Sequence, residues 1–428
     1  MIERFADFME QKLSGPMSKI ANQKHLRAVR DGIIATLPLI IVGSFFLIVA
    51  FPPIPEDWAI SVWIKANIGT ILLPYRMSMY IMTLYATFGI GNSLAKSYNK
   101  DGLTGGILAL LAFLLTISPV AIANDAGVGV SGFVLPMSYL GSGGMFVGIV
   151  TSLFAVEIYR LIDNSGFKIT MPEQVPPAVA RSFEALTPTA AIVIIMGCIT
   201  YWIGFDWHGF IASVVTPLVS ATDTLPSVIL LVFLITFFWS FGIHGVSIVG
   251  TIARPLWLIL LDQNTVAIAD GVAPTAIAAE PFYQWFIWIG GSGCTIGLAI
   301  LLAFRAKSKY AKTLGKTAFL PAVFNINEPI IFGTPIVLNP ILIIPFIISP
   351  MVCAIIAWIV TSVGLVSPVS IIAPWTLPGP IGAFLATGGD FRAIILSCIL
   401  IVISILIYYP FFKIYDKKQL EEEGNAEA

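Results

Sequence analysis

Ten stretches of this chain are apolar over about the length a helix needs to cross a bilayer, roughly 32–51, 77–95, 103–122, 141–159, 186–204, 225–243, 246–261, 282–304, 340–366 and 391–412. No water-soluble core has room for that many. Only 11% of the 428 residues are charged, against about 25% in soluble domains. That composition excludes an ordinary soluble enzyme, a disordered chain and a nucleic-acid-binding protein, which needs a basic field. The solvent this chain is written for is a lipid bilayer.

The few charges then orient it. Lys and Arg are retained on the cytoplasmic side of a membrane. With the N-terminus inside, only Lys65, Arg76 and Arg392 of the 23 basic residues fall outside. Arg254 counts as inside only if it snorkels to the inner face. The segment 262–281 carries Asp262, Asp270 and Glu280 and no basic residue, so it belongs outside. Omitting the seventh span, the one interrupted by Arg254 and Pro255, would reverse the bias for everything after it. The expectation is an all-α polytopic protein with ten transmembrane helices and both termini cytoplasmic. No cleavable signal peptide is expected. Ile2, Phe5, Phe8, Met9 and Leu13 in an otherwise polar and basic start suit an amphipathic helix on the membrane surface.

Two apolar stretches resist the helix template. Residues 317–339 contain Pro321, Pro329, Gly333 and Pro335, and 367–389 contain four prolines and four glycines. Irregular backbone at membrane depth is tolerated only inside protein or along a watery cavity. Both are read as re-entrant hairpins, and interrupted apolar segments are the best sequence pointer to a transporter's binding site.

The same scarcity of charge isolates the candidate site. Among the 73 residues from Thr317 to Gly389, Glu328 is the only Asp, Glu, His, Lys or Arg. It stands in Phe324-Asn325-Ile326-Asn327-Glu328-Pro329. A carboxylate at membrane depth is costly and usually functional; the plain alternative is a helix cap with Pro329 as an early helical residue. Asn325 and Asn327 add amides suited to sugar hydroxyls. Among the 30 residues from Thr224 to Ala253 the only such group is His244, in Gly242-Ile243-His244-Gly245. A lone histidine at a helix end is often only hydrogen-bonded structure, and the sequence alone does not bring it to Glu328. Trp239 and Trp375 could stack on a sugar face, although most membrane tryptophans form interface belts. Arg254 either snorkels or lines a path for an anionic phosphoryl donor. The four cysteines lie in apolar runs and read as small buried hydrophobes. There is no nucleotide-binding, metal-ligand or nucleophile-elbow motif, so no cofactor and no metal is expected.

Three of these segments together resemble one family. Asn327-Glu328-Pro329, the Gly-Ile-His-Gly turn and the run from Pro172 to Phe183 (PEQVPPAVARSF) are similar to enzyme IIC, the membrane subunit of the bacterial phosphotransferase system, in its lactose/cellobiose/N,N′-diacetylchitobiose group. The resemblance spans nearly the whole chain. It implies a permease in the bacterial inner membrane that carries a β-linked disaccharide, which a partner, enzyme IIB, phosphorylates from a phosphocysteine at the inner face. The IIB-type phosphocysteine loop is absent here, so IIB is expected as a separate chain and no residue of this chain carries the phosphoryl group. The resemblance further implies a homodimer, with residues 1–205 as scaffold and dimerisation domain and 206–428 as the sugar-binding transport domain. Glu328 and His244 would meet the phosphorylated hydroxyl, beside Asn327. From the residues alone, a proton-coupled sugar symporter in which Glu328 titrates, or a non-transporting membrane scaffold, remains open. The identity of the sugar is not legible.

Overall fold

Helix dominates because every backbone N–H and C=O in lipid must find a partner, and a helix supplies one within the same segment. The computed structural model describes residues 23–427 except 53, 56, 123–131, 168, 173 and 338. The surface helix expected at the N-terminus lies outside the described residues, as does Glu173 of the PEQVPPAVARSF run.

The helices are α1 (Lys24–Ala50), α2 (Ala59–Ile71), α3 (Leu73–Met77), α4 (Met82–Ser97), α5 (Gly102–Leu114), α6 (Met145–Ser165), α7 (Pro177–Glu184), α8 (Leu186–Gly197), α9 (Trp207–Thr222), α10 (Leu225–Ser240), α11 (Gly245–Ala269), α12 (Glu280–Phe282), α13 (Ile296–Arg305), α14 (Lys309–Val323), α15 (Glu328–Gly333), α16 (Ile343–Ser362), α17 (Gly379–Ala386) and α18 (Phe391–Glu427). Six helices among the described residues are long and apolar enough to cross a membrane, and α9 with α10 forms a further candidate bent by 81°. The burial pattern fits lipid as the solvent. Leu230, Ile252, Ile395 and Leu406 are exposed while Thr236, Ser240, Ser397 and Ser404 are buried.

Residues 22–43 and 73–218 form one compact unit, and residues 44–72 and 219–428 form another. In the first, α4, α5, α6 and α8 bury Leu94, Leu108, Val156, Ile192 and Met196 in one core. Its polar rim is knitted by ions. Glu157 accepts from His25, Tyr98 and Arg160, and Lys100 pairs with Asp163.

Three stretches depart from the span reading. The third, 103–122, is helical only to Leu114, and residues 120–122 are a short β-strand paired antiparallel with 132–134. Pro119 lacks an N–H and restrains Ser118 before it, so the helix cannot run on. The connection 205–224, passed over as a link, carries the apolar helix α9. The eighth span is broken: α12 continues as a π turn over Tyr283–Ile287, and helix resumes only at Ile296. In between, Gly290, Gly291 and Gly293 have φ of 77°, 96° and 85°, a region an L side chain enters at a cost.

The base of the second interrupted segment is clamped by Asp390. It accepts from the Ser367 amide at 2.9 Å and from the Arg392 guanidinium at 2.9 Å. Burial pushes this carboxyl up, but the bonds from Arg392 and the two backbone amides outweigh it and hold it at about 2. A depressed carboxyl stabilises the fold above its unfolded pKa of about 4 and loses that contribution as pH falls through its folded value. The clamp is therefore indifferent to pH near neutrality.

Gly291→Ala places a Cβ onto the Asn327 side chain as well as at an unfavourable φ. It should cost about 1–3 kcal/mol, read as a lowered thermal midpoint in detergent. Gly424→Ala, a helical position with nothing near its Cβ, should leave the midpoint unchanged.

Candidate functional site

Within the unit formed by residues 44–72 and 219–428, three interruptions of helix are tied together: the break 288–295, the turn 324–327 between α14 and α15, and the irregular stretch 363–378 before α17. The ties are two asparagines. Asn325 has φ 62°, which Asn tolerates better than most residues. Its Nδ2 donates to the carbonyls of Trp375 (2.8 Å) and Leu377 (2.9 Å), and its Oδ1 accepts from the Gly290 amide (2.9 Å). Asn327 Nδ2 donates to the Ser292 carbonyl (2.7 Å) and to Thr295 Oγ1 (2.9 Å). Both are nearly buried, at 8% and 4% exposure. The amide donors predicted for sugar hydroxyls are thus spent on the protein's own backbone and on Thr295.

Glu328 opens α15 directly after Asn327. It is exposed and makes no hydrogen bond or ion pair with any described residue. Trp375, whose carbonyl Asn325 holds, is 50% exposed. A carboxylate and an indole, both accessible, therefore stand on segments joined through one side chain.

His244 caps α11 from the turn after α10. Its Nδ1 accepts from the Ser247 amide at 3.2 Å and meets Ser247 Oγ at 3.0 Å. A backbone N–H can only donate, so Nδ1 carries no proton and the neutral ring is protonated at Nε2. The ring is exposed on one side and lies 4.5 Å, centroid to centroid, from Trp239. Trp239 is only 5% exposed, which makes it a support for the imidazole rather than a free stacking face. The turn approaches the first interrupted segment: a Cβ at Gly242 would lie 3.4 Å from Val337 Cγ1. Gly245 sits so close to the Ile235 carbonyl that no Cβ fits, which draws His244 back against α10.

Arg254 lies ten residues beyond His244 on α11, about 15 Å along the axis. Its guanidinium pairs with Glu280 at 3.6 Å, each side chain 18% exposed. Glu280 belongs to the segment that the charge pattern set outside. Arg254 is therefore paired within the protein, where the sequence offered snorkelling or an anion path. Trp285 and Trp288, also near this region in sequence, are buried. A cavity lined by Leu47, Phe51, Thr265, Ser370 and Thr387 takes in none of the candidate residues.

The break 288–295 escaped the sequence reading, together with the side chains that sustain it. Tyr408 donates to the Gly293 carbonyl at 2.8 Å, Ser404 to the Cys294 carbonyl at 2.6 Å and Thr295 to the Gly290 carbonyl at 2.6 Å. The available signal was the run Gly290-Gly291-Ser292-Gly293 inside an apolar span.

Removing one partner of a largely buried ion pair leaves the other uncompensated. Glu280→Gln should cost about 3 kcal/mol, measured as loss of thermal stability. The double replacement Glu280→Gln with Arg254→Gln should recover most of it.

The family model described as "Phosphotransferase system, EIIC" matches residues 30–350. The lichenan permease IIC component of Bacillus subtilis (strain 168) is 40% identical over 433 residues, covering 98% of this chain and 95% of its own. The cellobiose-specific EIIC component of the phosphotransferase system of Geobacillus stearothermophilus is 40% identical over 443 residues, covering 99% and 96%. Among solved structures, the transporter ChbC, the IIC component of the N,N′-diacetylchitobiose-specific system, superposes with a TM-score of 0.90 at 35% identity, over 97% of this chain and 99% of ChbC.

Proposed function

This chain belongs to the enzyme IIC family of the phosphotransferase system, and from that membership we propose that it is the permease for a β-linked disaccharide such as cellobiose or N,N′-diacetylchitobiose, phosphorylated by a separate enzyme IIB. The observation that carries this reading to particular residues is the accessible Glu328, without a partner among the described residues, in a stretch otherwise empty of charge and tied through Asn325 to the segment of the half-exposed Trp375. The substrates in the names of the relatives and of ChbC support the sugar class.

Phosphoryl transfer from the IIB phosphocysteine breaks an S–P bond and forms an O–P bond at the sugar hydroxyl. The protein's task is to hold that hydroxyl in line and take its proton. Glu328 serves as acceptor. His244, protonated at Nε2, donates to the same hydroxyl and orients it, its ring braced by Trp239. Trp375 stacks on the apolar face of a sugar ring. Asn325 and Asn327 shape this site from behind, and the Arg254–Glu280 pair leaves Arg254 no role in the donor's path. Ten spans with both termini in the cytoplasm of a bacterial inner membrane, two re-entrant hairpins, a homodimer built on the first five spans and a mobile sugar-carrying second half complete the proposal. The positive-inside bias supports the orientation, and the joined turns at 324–327 and 371–378 support the hairpins.

In proteoliposomes loaded with phosphorylated IIB, the wild type should accumulate phosphorylated cellobiose. Glu328→Gln should lower that rate by about 10²-fold or more while sugar binding changes little. Free sugar driven by a proton gradient, without IIB, would instead establish a symporter. Native-rate phosphorylation by Glu328→Gln would remove Glu328 from the chemistry.

A further inference from the structure

We infer that Asn325 is a positioning residue: it touches no sugar itself but fixes the spacing between the Trp375 ring and the Glu328 carboxylate, so that both hairpins meet the substrate as one rigid fork. The inference rests on the sugar-site reading above and goes beyond it by naming what sets the distance between binding and chemistry.

Three observations carry it. Asn325 uses both amide hydrogens and its carbonyl oxygen on three backbone groups of two separate segments, at 2.8, 2.9 and 2.9 Å. One of the two carbonyls it holds belongs to Trp375 itself. And it lies only three residues before Glu328, with Asn327 between them pinned to Ser292 and Thr295. Among the described residues of 317–339, no other side chain bonds the 375 and 377 carbonyls.

The chemistry selects asparagine. Trp375 and Leu377 lie between Pro374 and Pro378, ahead of α17, where no regular helix forms and where Pro378 has no N–H to offer. Their carbonyls need external donors, and Gly290 needs an external acceptor. Only a primary amide supplies two donors and an acceptor in one plane from a short stem. Aspartate keeps the acceptor and sets a carboxylate against two carbonyls. Glycine suits the φ of 62° and forfeits all three bonds. Leucine fits neither demand.

Misplacing a hydroxyl by about 1 Å can cost about 10²-fold in rate, whereas stacking on an aromatic tolerates such a shift. Loosening the fork should therefore reduce kcat more than it changes KM.

The test uses full-length protein in proteoliposomes with phosphorylated IIB and cellobiose, the number of sugar-binding sites being counted by titration. Per occupied site, Asn325→Asp and Asn325→Gly should lower kcat by roughly 10- to 100-fold with KM within about threefold. An aspartic acid held against two carbonyls has a raised pKa and, once protonated, donates one hydrogen bond. Asn325→Asp should thus regain activity relative to wild type as pH falls from 8 to 5.5, and Asn325→Gly should not. A sugar-free readout separates the levels. By hydrogen exchange, the Gly290 amide should stay protected in Asn325→Asp and open in Asn325→Gly, while residues 371–377 loosen in both.

Wild-type kcat and KM in Asn325→Gly would overturn the inference. So would a loss matched entirely by fewer occupied sites, with no recovery of Asn325→Asp at low pH. Unchanged exchange at Gly290 and 371–377 in both variants would overturn it without reference to any sugar. If the wild type itself handles no cellobiose, the functional reading fails while the exchange data still decide whether Asn325 joins the hairpins.

Discussion

An interrupted helix inside a membrane must find an outside partner for each backbone group it releases, since an unsatisfied one costs several kcal/mol in lipid. The unit of residues 44–72 and 219–428 meets that demand group by group at 288–295. The Gly290 amide goes to Asn325, the Gly290 carbonyl to Thr295, the Ser292 carbonyl to Asn327, the Gly293 carbonyl to Tyr408 and the Cys294 carbonyl to Ser404. Each of these side chains is short or rigid, so each bond fixes a position as well as satisfying a valence. The rest of the site follows from that set. The left-handed glycines are possible because the carbonyls they expose are received, and the turn 324–327 is fixed because it supplies some of the partners and holds the 375 and 377 carbonyls as well.

Much of this was legible in the sequence, and the parts that were not share a cause. Apolar length and charge asymmetry locate spans because they report on a single solvent. The long helices α1, α11, α16 and α18 cover the first, seventh, ninth and tenth predicted stretches. Proline and glycine density pointed to 317–339 and 367–389 because those residues act on their own backbone; helix is interrupted there at 324–327 and before Gly379, while 317–323 stays helical through Pro321 as the end of α14. The break at 288–295 is different. It is sustained by Ser404 and Tyr408, more than 100 residues downstream, and nothing local distinguishes its glycines from small residues at a helix contact. Arg254 follows the same logic: a lone cation in an apolar run shows no partner in sequence, and Glu280 reaches it from another segment.

The asparagines make the point more sharply. Polar amides isolated among apolar residues suggest a polar ligand, and Asn325 and Asn327 were assigned to sugar hydroxyls on that basis. In a bilayer the backbone itself is the nearest polar ligand. A hairpin tip releases carbonyls and amides at a density no sugar matches, and it takes the short amides first. The sequence identified the right residues and could not tell which polar partner would claim them.

Glu328 then stands out by contrast with Arg254. Both are single charges in long apolar surroundings, and both would be expensive if left unpaired in lipid. Arg254 has Glu280 within 3.6 Å. Glu328 has no described partner, and it is exposed rather than buried. A carboxylate without a partner is tolerated where water reaches it, and the exposure of Glu328 meets that condition. A group that water reaches is also one that a hydroxylated substrate can reach, which is what the role proposed for Glu328 requires.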